Sequence, residues 1–93
     1  MKEFMKMIGS KGTKEILEFL DENGKVQYKH FCQFMDTHVV NKRLRQLLKF
    51  GLVEHHLTKV EKKREWYTIT DKGKKVLYYL REMERIFQED SDE

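Results

Sequence analysis

Residues 37–50 carry side chains of the types that can form hydrogen bonds with nucleic acids. The segment reads THVVNKRLRQLLKF and contains four basic side chains and no acidic one. Arginine and lysine donate to guanine edges or to phosphates, whereas asparagine and glutamine can pair with adenine. Held on one face of a helix, such a set could bind a DNA duplex.

The apolar residues of this segment recur at helical spacing. Val40, Leu44, Leu47 and Leu48 gather on one side of a helix with 3.6 residues per turn. The predicted DNA contacts lie opposite this stripe, on its flank, or at the N-terminus, where unpaired backbone amides suit a phosphate. These predicted contacts are Thr37, His38, Asn41, Lys42, Arg45, Gln46 and Lys49.

A second basic group lies in residues 58–66, at the tip of a predicted β-hairpin. Its segment EKKRE separates an alternating run from the aromatic and β-branched run WYTIT. Basic side chains on such a wing would contact phosphates and give affinity with strong salt dependence but little sequence information. The predicted contacts here are Lys59, Lys62, Lys63 and Arg64.

The charge is distributed unevenly along the chain. The net charge is +3, but residues 82–93 hold six acids against one arginine, so residues 1–81 carry +8 by subtraction. A basic body with an acidic end favours a polyanionic partner, although a charge run is often only a solvated face.

Length and composition limit the class of protein. Ninety-three residues form one domain, 1–93, whose acidic end, 88–93, is predicted to be disordered. The sequence lacks an apolar run long enough to span a bilayer and a signal-peptide core, which predicts a soluble, cytoplasmic protein without membrane contact. The single cysteine, Cys32, fits a reducing compartment.

The hydrophobic pattern predicts the elements that position these side chains. The predicted helices are residues 1–8, 13–23, 28–35, 37–50 and 71–90, and the predicted strands are 52–60 and 66–70. We expect Thr13 to cap the second helix, and Phe31, Phe34 and Met35 to face the core. Residues 26–28 are either a very short strand or an extended linker.

This order of elements indicates an α+β, mostly helical fold. Three helices followed by a two-stranded hairpin form the winged helix-turn-helix arrangement, here with a long C-terminal helix. A lone hairpin is not stable in water, so the wing must pack on the helices.

The last helix carries an apolar stripe with two interpretations. The stripe either completes the monomer core or packs against a second copy of the chain. We favour a homodimer, because the other helices and the hairpin already supply a core for so small a domain. The predicted interface is Phe4, Met5, Ile8, Val76, Tyr79, Leu80, Met83 and Phe87.

Three segments resemble winged-helix transcription regulators of the MarR/HxlR kind. They read MIGSKGTKEIL, VVNKRLRQLLKFGLVEHH and REWYTITDKGKKVLYYL, and the strongest matches are RL..L...GLVE and Y.IT.KG. The resemblance implies a homodimeric, sequence-specific DNA-binding repressor or activator. It also implies base and phosphate contacts at Thr37, His38, Asn41, Lys42 and Arg45, with Lys62 to Arg64 on the wing.

The chain departs from this family at two places. Gly12-Thr13 stands where the family has a tryptophan after its glycine-lysine pair, and the N-terminal cysteine of the HxlR kind is absent. Thiol sensing is therefore not carried over from the resemblance.

Other classes of function have little support in the sequence. It shows no nucleophile elbow and no phosphate-binding glycine loop, so we predict no enzyme and no cofactor. Cys32 with His30 and His38 lacks the spacing of a zinc site, so no metal is predicted. The alternative function is a winged-helix protein-docking module, which would need a less basic face. The sequence does not define a small-molecule effector.

Overall fold

The computed structural model describes residues 1–91 and has a winged helix-turn-helix fold, which confirms the predicted fold class. In chain order its elements are α1 (Lys2–Ile8), α2 (Thr13–Asn23), α3 (Tyr28–Phe31), α4 (Thr37–Lys49), β1 (Val53–Thr58), β2 (Arg64–Ile69) and α5 (Asp71–Ser91). Among these residues, no helix is long and apolar enough to cross a membrane.

The start of α2 differs from the prediction. Gly12 precedes the helix with a φ of 94°, and Thr13 is its first residue. The Thr13 side chain is fully buried, and its hydroxyl donates to the carbonyl of Met7 at 2.5 Å. The prediction that Thr13 caps α2 is therefore wrong, because this hydroxyl instead ties the end of α1 to α2.

Helix α3 is shorter than predicted. It ends at Phe31, and a turn leads from there to Asp36. Phe31 is fully buried and Met35 is half-buried, as expected, but Phe34 is 46% exposed. The Phe34 ring lies at the edge of the core, against Phe19 at a centroid distance of 4.8 Å, and the prediction that it faces the core is therefore only partly correct.

The hairpin is antiparallel and forms the wing. Its register pairs Val53 with Ile69 and Thr58 with Arg64, which leaves residues 59–63 at the tip. Strand β1 is therefore shorter than the predicted 52–60 by one residue at its start and two at its end, whereas β2 begins two residues before and ends one residue before the predicted 66–70.

A third segment joins the wing through one residue. Val26 forms a bridge to Tyr67, with backbone hydrogen bonds of 3.1 Å from Val26 to Tyr67 and 2.8 Å in the reverse direction. Of the two alternatives for residues 26–28, the short strand is therefore correct, reduced to a single paired residue.

The core lies between α2, α4, the base of the wing and the start of α5. Of the predicted α4 stripe, only Leu48 is exposed, at 37%. Two core residues, Met7 of α1 and Leu77 of α5, are not among the apolar residues that the sequence analysis singled out on these helices. The buried apolar residues are Met7, Ile16, Leu17, Leu20, Val26, Phe31, Val40, Leu44, Leu47, Leu52, Val53 and Leu77.

Helix α5 lies along α2 and is fastened to it by ion pairs. Lys14 pairs with Glu84, and Arg81 reaches Glu18 at 3.4 Å. The helix extends to Ser91 and so enters the segment expected to be disordered. The rest of that segment, residues 92–93, lies outside the described residues.

Candidate nucleic-acid interface

Helix α4 begins at a capped N-terminus. An Asp36 carboxylate oxygen accepts the backbone amide of His38 at 2.8 Å and that of Val39 at 3.4 Å, which satisfies two of the helix's free donors. The expectation that these amides are available for a phosphate is wrong, because a carboxylate already occupies them and would repel an anion.

The outer face of α4 is polar and accessible. His38, Asn41, Lys42 and Arg45 are all exposed, as is Thr37 at the first position. The opposite face holds the buried Val40, Leu44 and Leu47. The structure therefore brings five of the seven contacts predicted on this helix to one open surface.

The other two predicted contacts of α4 have partners within the protein. Gln46 is half-buried, and its side-chain oxygen accepts from Arg43 Nη1 at 2.9 Å, while Arg43 Nε donates to the Lys11 carbonyl at 2.8 Å. Lys49 pairs with Glu3 of α1 at 3.0 Å. This flank of α4 therefore fastens the helix to α1 and to the α1–α2 turn.

The opposite flank of α4 faces α3. The Tyr28 hydroxyl donates to Oδ1 of Asn41 at 2.5 Å. Tyr28 is 37% exposed and was not among the predicted site residues. Sequence periodicity could not have indicated it, because the contact joins two helices through a turn.

The wing presents the predicted basic side chains at its tip. Lys59, Lys62, Lys63 and Arg64 are all exposed. Lys63 pairs with Glu65 at 3.0 Å. The hydrogen bond from Lys63, followed by that from His55, lowers the pKa of Glu65, so this carboxylate is ionised at neutral pH and partly neutralises Lys63.

A cleft connects the wing to the start of α3. It is lined by Gln27, Tyr28, Lys29, Lys63, Arg64 and Glu65. In the neighbouring cleft, Lys25 Nζ lies 5.4 Å from the centroid of the Trp66 ring. Lys25 and Lys29 thus extend the basic surface beyond the predicted set. Only the pairing of Val26 with the wing places them there, and the sequence left that pairing open.

The histidines of β1 are engaged within the hairpin. His56 Nε2 lies 2.8 Å from the Thr68 hydroxyl, and its ring stacks on Trp66 at 5.3 Å. His55 lies on the opposite face of the strand, 3.4 Å from Glu65. These contacts give both side chains a structural role in the wing.

A groove between α1 and α5 gathers the predicted dimer residues. Its lining consists of Phe4, Met5, Ile8, Val76, Tyr79, Leu80 and Met83. The eighth predicted residue, Phe87, lines the adjoining cleft together with Ile8, Leu80 and Met83. Met5, Tyr79, Met83 and Phe87 are each more than half exposed.

A family model and one relative match most of the chain. The model of the HxlR-like helix-turn-helix family matches residues 7–93. The uncharacterized protein MJ0944 of Methanocaldococcus jannaschii is 33% identical over 86 residues, which cover 88% of this chain and 71% of that protein.

Two solved structures share the fold. The reduced form of the transcriptional regulator YodB from Bacillus subtilis superposes with a TM-score of 0.76 at 19% identity, covering 91% of this chain and 85% of YodB. A transcriptional regulator of the MarR family from Enterococcus faecalis gives a TM-score of 0.77 at 21% identity, covering 96% of this chain and 86% of its own.

Proposed function

The chain belongs to the HxlR-like helix-turn-helix family and is a transcriptional regulator with a helix-turn-helix DNA-binding domain, and from this premise we propose how it binds DNA. Helix α4 lies in the major groove and recognises a specific sequence. The wing contacts the adjacent backbone or minor groove. Two copies of the chain bind one operator.

The outer face of α4 carries this proposal. Asn41, Lys42 and Arg45 lie on the exposed side of a helix whose sequence contains no acidic residue. A B-DNA major groove is about 12 Å wide and admits an α-helix, whose arginine or lysine can pair with guanine O6 and N7. The exposed side chains of His38 and Thr37, one turn earlier, would face the phosphates at the edge of the groove, although the backbone amide of His38 is already bonded to Asp36.

The wing supports binding without adding much specificity. No ion pair among the described residues involves Lys59 or Lys62, so both ammonium groups can neutralise phosphates. Each phosphate neutralised releases counterions and steepens the dependence of affinity on salt. Lys63 would contribute less, because Glu65 already offsets its charge.

The apolar groove between α1 and α5 supports a homodimer. An apolar surface of this kind marks an interaction site more often than a solvated one. Two-fold association through this groove would give an assembly with two copies of α4, one for each half-site. Helix-turn-helix dimers read half-sites about one DNA turn, or about 34 Å, apart.

Selection of bound sequences from a random duplex pool tests the proposal. The expected result is an enriched palindrome with two half-sites about 10 base pairs apart, centre to centre. As a control, Lys74→Ala removes one positive charge from an exposed position on α5, outside the proposed DNA interface, and should select the same palindrome as the wild type. Failure to enrich any motif, together with retention on heparin that is indifferent to salt, would favour a protein-docking module instead.

A further inference from the structure

The hydrogen bond between Tyr28 and Asn41 connects the start of α3 with the DNA-facing side of α4. We propose that Tyr28 is a specificity-determining positioning residue, which holds the oxygen of Asn41 and leaves its amide nitrogen to face the DNA. This inference rests on the proposed function of α4 as the reader of base edges.

Because a carboxamide has one accepting and one donating end, this hydrogen bond affects which base Asn41 can pair with. Asparagine pairs with adenine by accepting from N6 through its oxygen and donating to N7 through its nitrogen. At Asn41 the oxygen already accepts from Tyr28, which fixes the side-chain torsion and occupies one of its lone pairs. The nitrogen donors remain, and they match an edge that offers acceptors, such as guanine O6 and N7 or thymine O4. Asn41 should therefore prefer guanine or thymine over adenine.

The Tyr28 hydroxyl is suited to act as a permanent donor. Partial burial of the ring raises its pKa, and the neighbouring Cys32 raises it further, while the bond to Asn41 acts in the opposite direction. The net shift is upward, so the hydroxyl keeps its proton at neutral pH. Asn41 then meets a donor rather than a phenolate.

The backbone around Tyr28 is held in place on both sides. Two residues before it, Val26 is paired with Tyr67 of the wing, and three residues after it, Phe31 is fully buried. The ring also lines the cleft that contains Lys63. The backbone at Tyr28 is therefore anchored independently of Asn41, so its hydroxyl can orient the Asn41 side chain before DNA binds.

The substitution Tyr28→Phe tests this role, because it removes the hydroxyl and keeps the ring. The base pair opposite Asn41 is first identified as the position where Asn41→Ala loses discrimination. Duplexes carrying each of the four bases there are then titrated with the purified full chain. We expect Tyr28→Phe to raise the affinity for the adenine duplex, relative to the guanine or thymine duplex, by about tenfold. This change is within the discrimination that one base contact provides. The control Tyr78→Phe, on α5, should leave the preference unchanged.

A double-mutant cycle separates positioning from a direct DNA contact. If Tyr28 acts through Asn41, Tyr28→Phe should change nothing further in the Asn41→Ala background. An unchanged preference in Tyr28→Phe, or a change that persists without Asn41, overturns the inference while the proposed function stands. A wild-type protein that discriminates no base at any position would overturn both.

Discussion

Gly73 lies so close to Leu52 that a β carbon at position 73 would come within 2.2 Å of the Leu52 carbonyl oxygen. The first turn of α5 thus packs directly on the backbone of Leu52, just before β1, and this close approach is possible because glycine has only a hydrogen atom in place of a side chain. Thr70 secures the same crossing, because its hydroxyl accepts the Gly73 amide at 3.0 Å and donates to the Gly51 carbonyl at 2.7 Å. This crowded crossing therefore holds the wing to the body of the protein, in addition to the pairing of Val26 with Tyr67.

The substitution Gly73→Ala should destabilise the fold strongly. The obstacle is a backbone oxygen, which cannot move aside as a flexible side chain would. We expect the free energy of unfolding to fall by about 3 kcal/mol, at the upper end for overpacking. Chemical denaturation followed by circular dichroism measures this loss. Gly9→Ala is the control, since its added carbon meets nothing closer than 3.8 Å, and an equal loss in both variants would refute the explanation.

The substitution Thr70→Val should remove both hydrogen bonds of the hydroxyl while nearly preserving its shape. Loss of a helix N-cap costs about 1 kcal/mol, with a range up to about 2. Thr70→Ser keeps the hydroxyl and should stay within about 0.5 kcal/mol of the wild type. The same denaturation experiment applies, and a serine variant less stable than the valine variant would show that the methyl group, which valine keeps, contributes more than the hydroxyl.

Charging the α1–α5 groove should separate the proposed dimer. Met83→Glu and Tyr79→Glu place carboxylates on side chains that are more than half exposed, so the monomer should still fold. Burial of an unpaired charge at the interface would then favour the monomer. Light scattering at equal concentrations gives the mass. Tyr78→Glu changes a neighbouring exposed residue outside the groove lining and should remain dimeric. A wild type that is itself monomeric would contradict the proposed assembly.

Local patterns in the sequence accounted for α4 and for the wing. The 3.6-residue spacing of Val40, Leu44 and Leu47 set the buried face of α4, and the glycine after Phe50 marked its end. These features depend on neighbours within a few residues, which periodicity detects.

The remaining details depend on contacts between distant parts of the chain. The sequence did not show that Thr13 would be buried, because that depends on how the end of α1 meets α2. It did not identify Leu77 as the core residue of α5, since Val76 and Leu80 form an equally good stripe. The hydrogen bond from Tyr28 to Asn41 could not be predicted from the sequence for the same reason, because it joins residues that are distant in the chain.

The substitution Lys62→Ala should weaken binding to all duplexes alike. If this side chain neutralises one phosphate, the slope of log affinity against log salt should fall by about one unit. Lys63→Ala should have a smaller effect, because Glu65 pairs with Lys63 at 3.0 Å. Titrations at several salt concentrations, with Lys74→Ala as the charge control, measure the slopes. A changed sequence preference with an intact slope would show that the wing reads bases.

Arg45 and Arg43, two residues apart on α4, should respond in opposite ways to replacement by alanine. Among the described residues no hydrogen bond or ion pair involves Arg45, which is exposed, whereas Arg43 donates to the Lys11 carbonyl and to Gln46. Arg45→Ala should therefore leave stability within about 0.5 kcal/mol. It should lower operator affinity by about ten- to a hundredfold, the value of one bidentate pair with guanine, and affect random DNA much less.

Arg43→Ala provides the matched control for this prediction. Its loss of two hydrogen bonds should lower the free energy of unfolding by about 1 to 2 kcal/mol, because each contributes about 1 kcal/mol. The ratio of operator to scrambled-duplex affinity should stay near that of the wild type, since Arg43 points towards the α1–α2 turn. Paired titrations of both duplexes, with thermal melts of both variants, measure these quantities. Equal losses on the two duplexes for Arg45→Ala would make Arg45 a phosphate contact and move the source of specificity to Asn41 and Lys42.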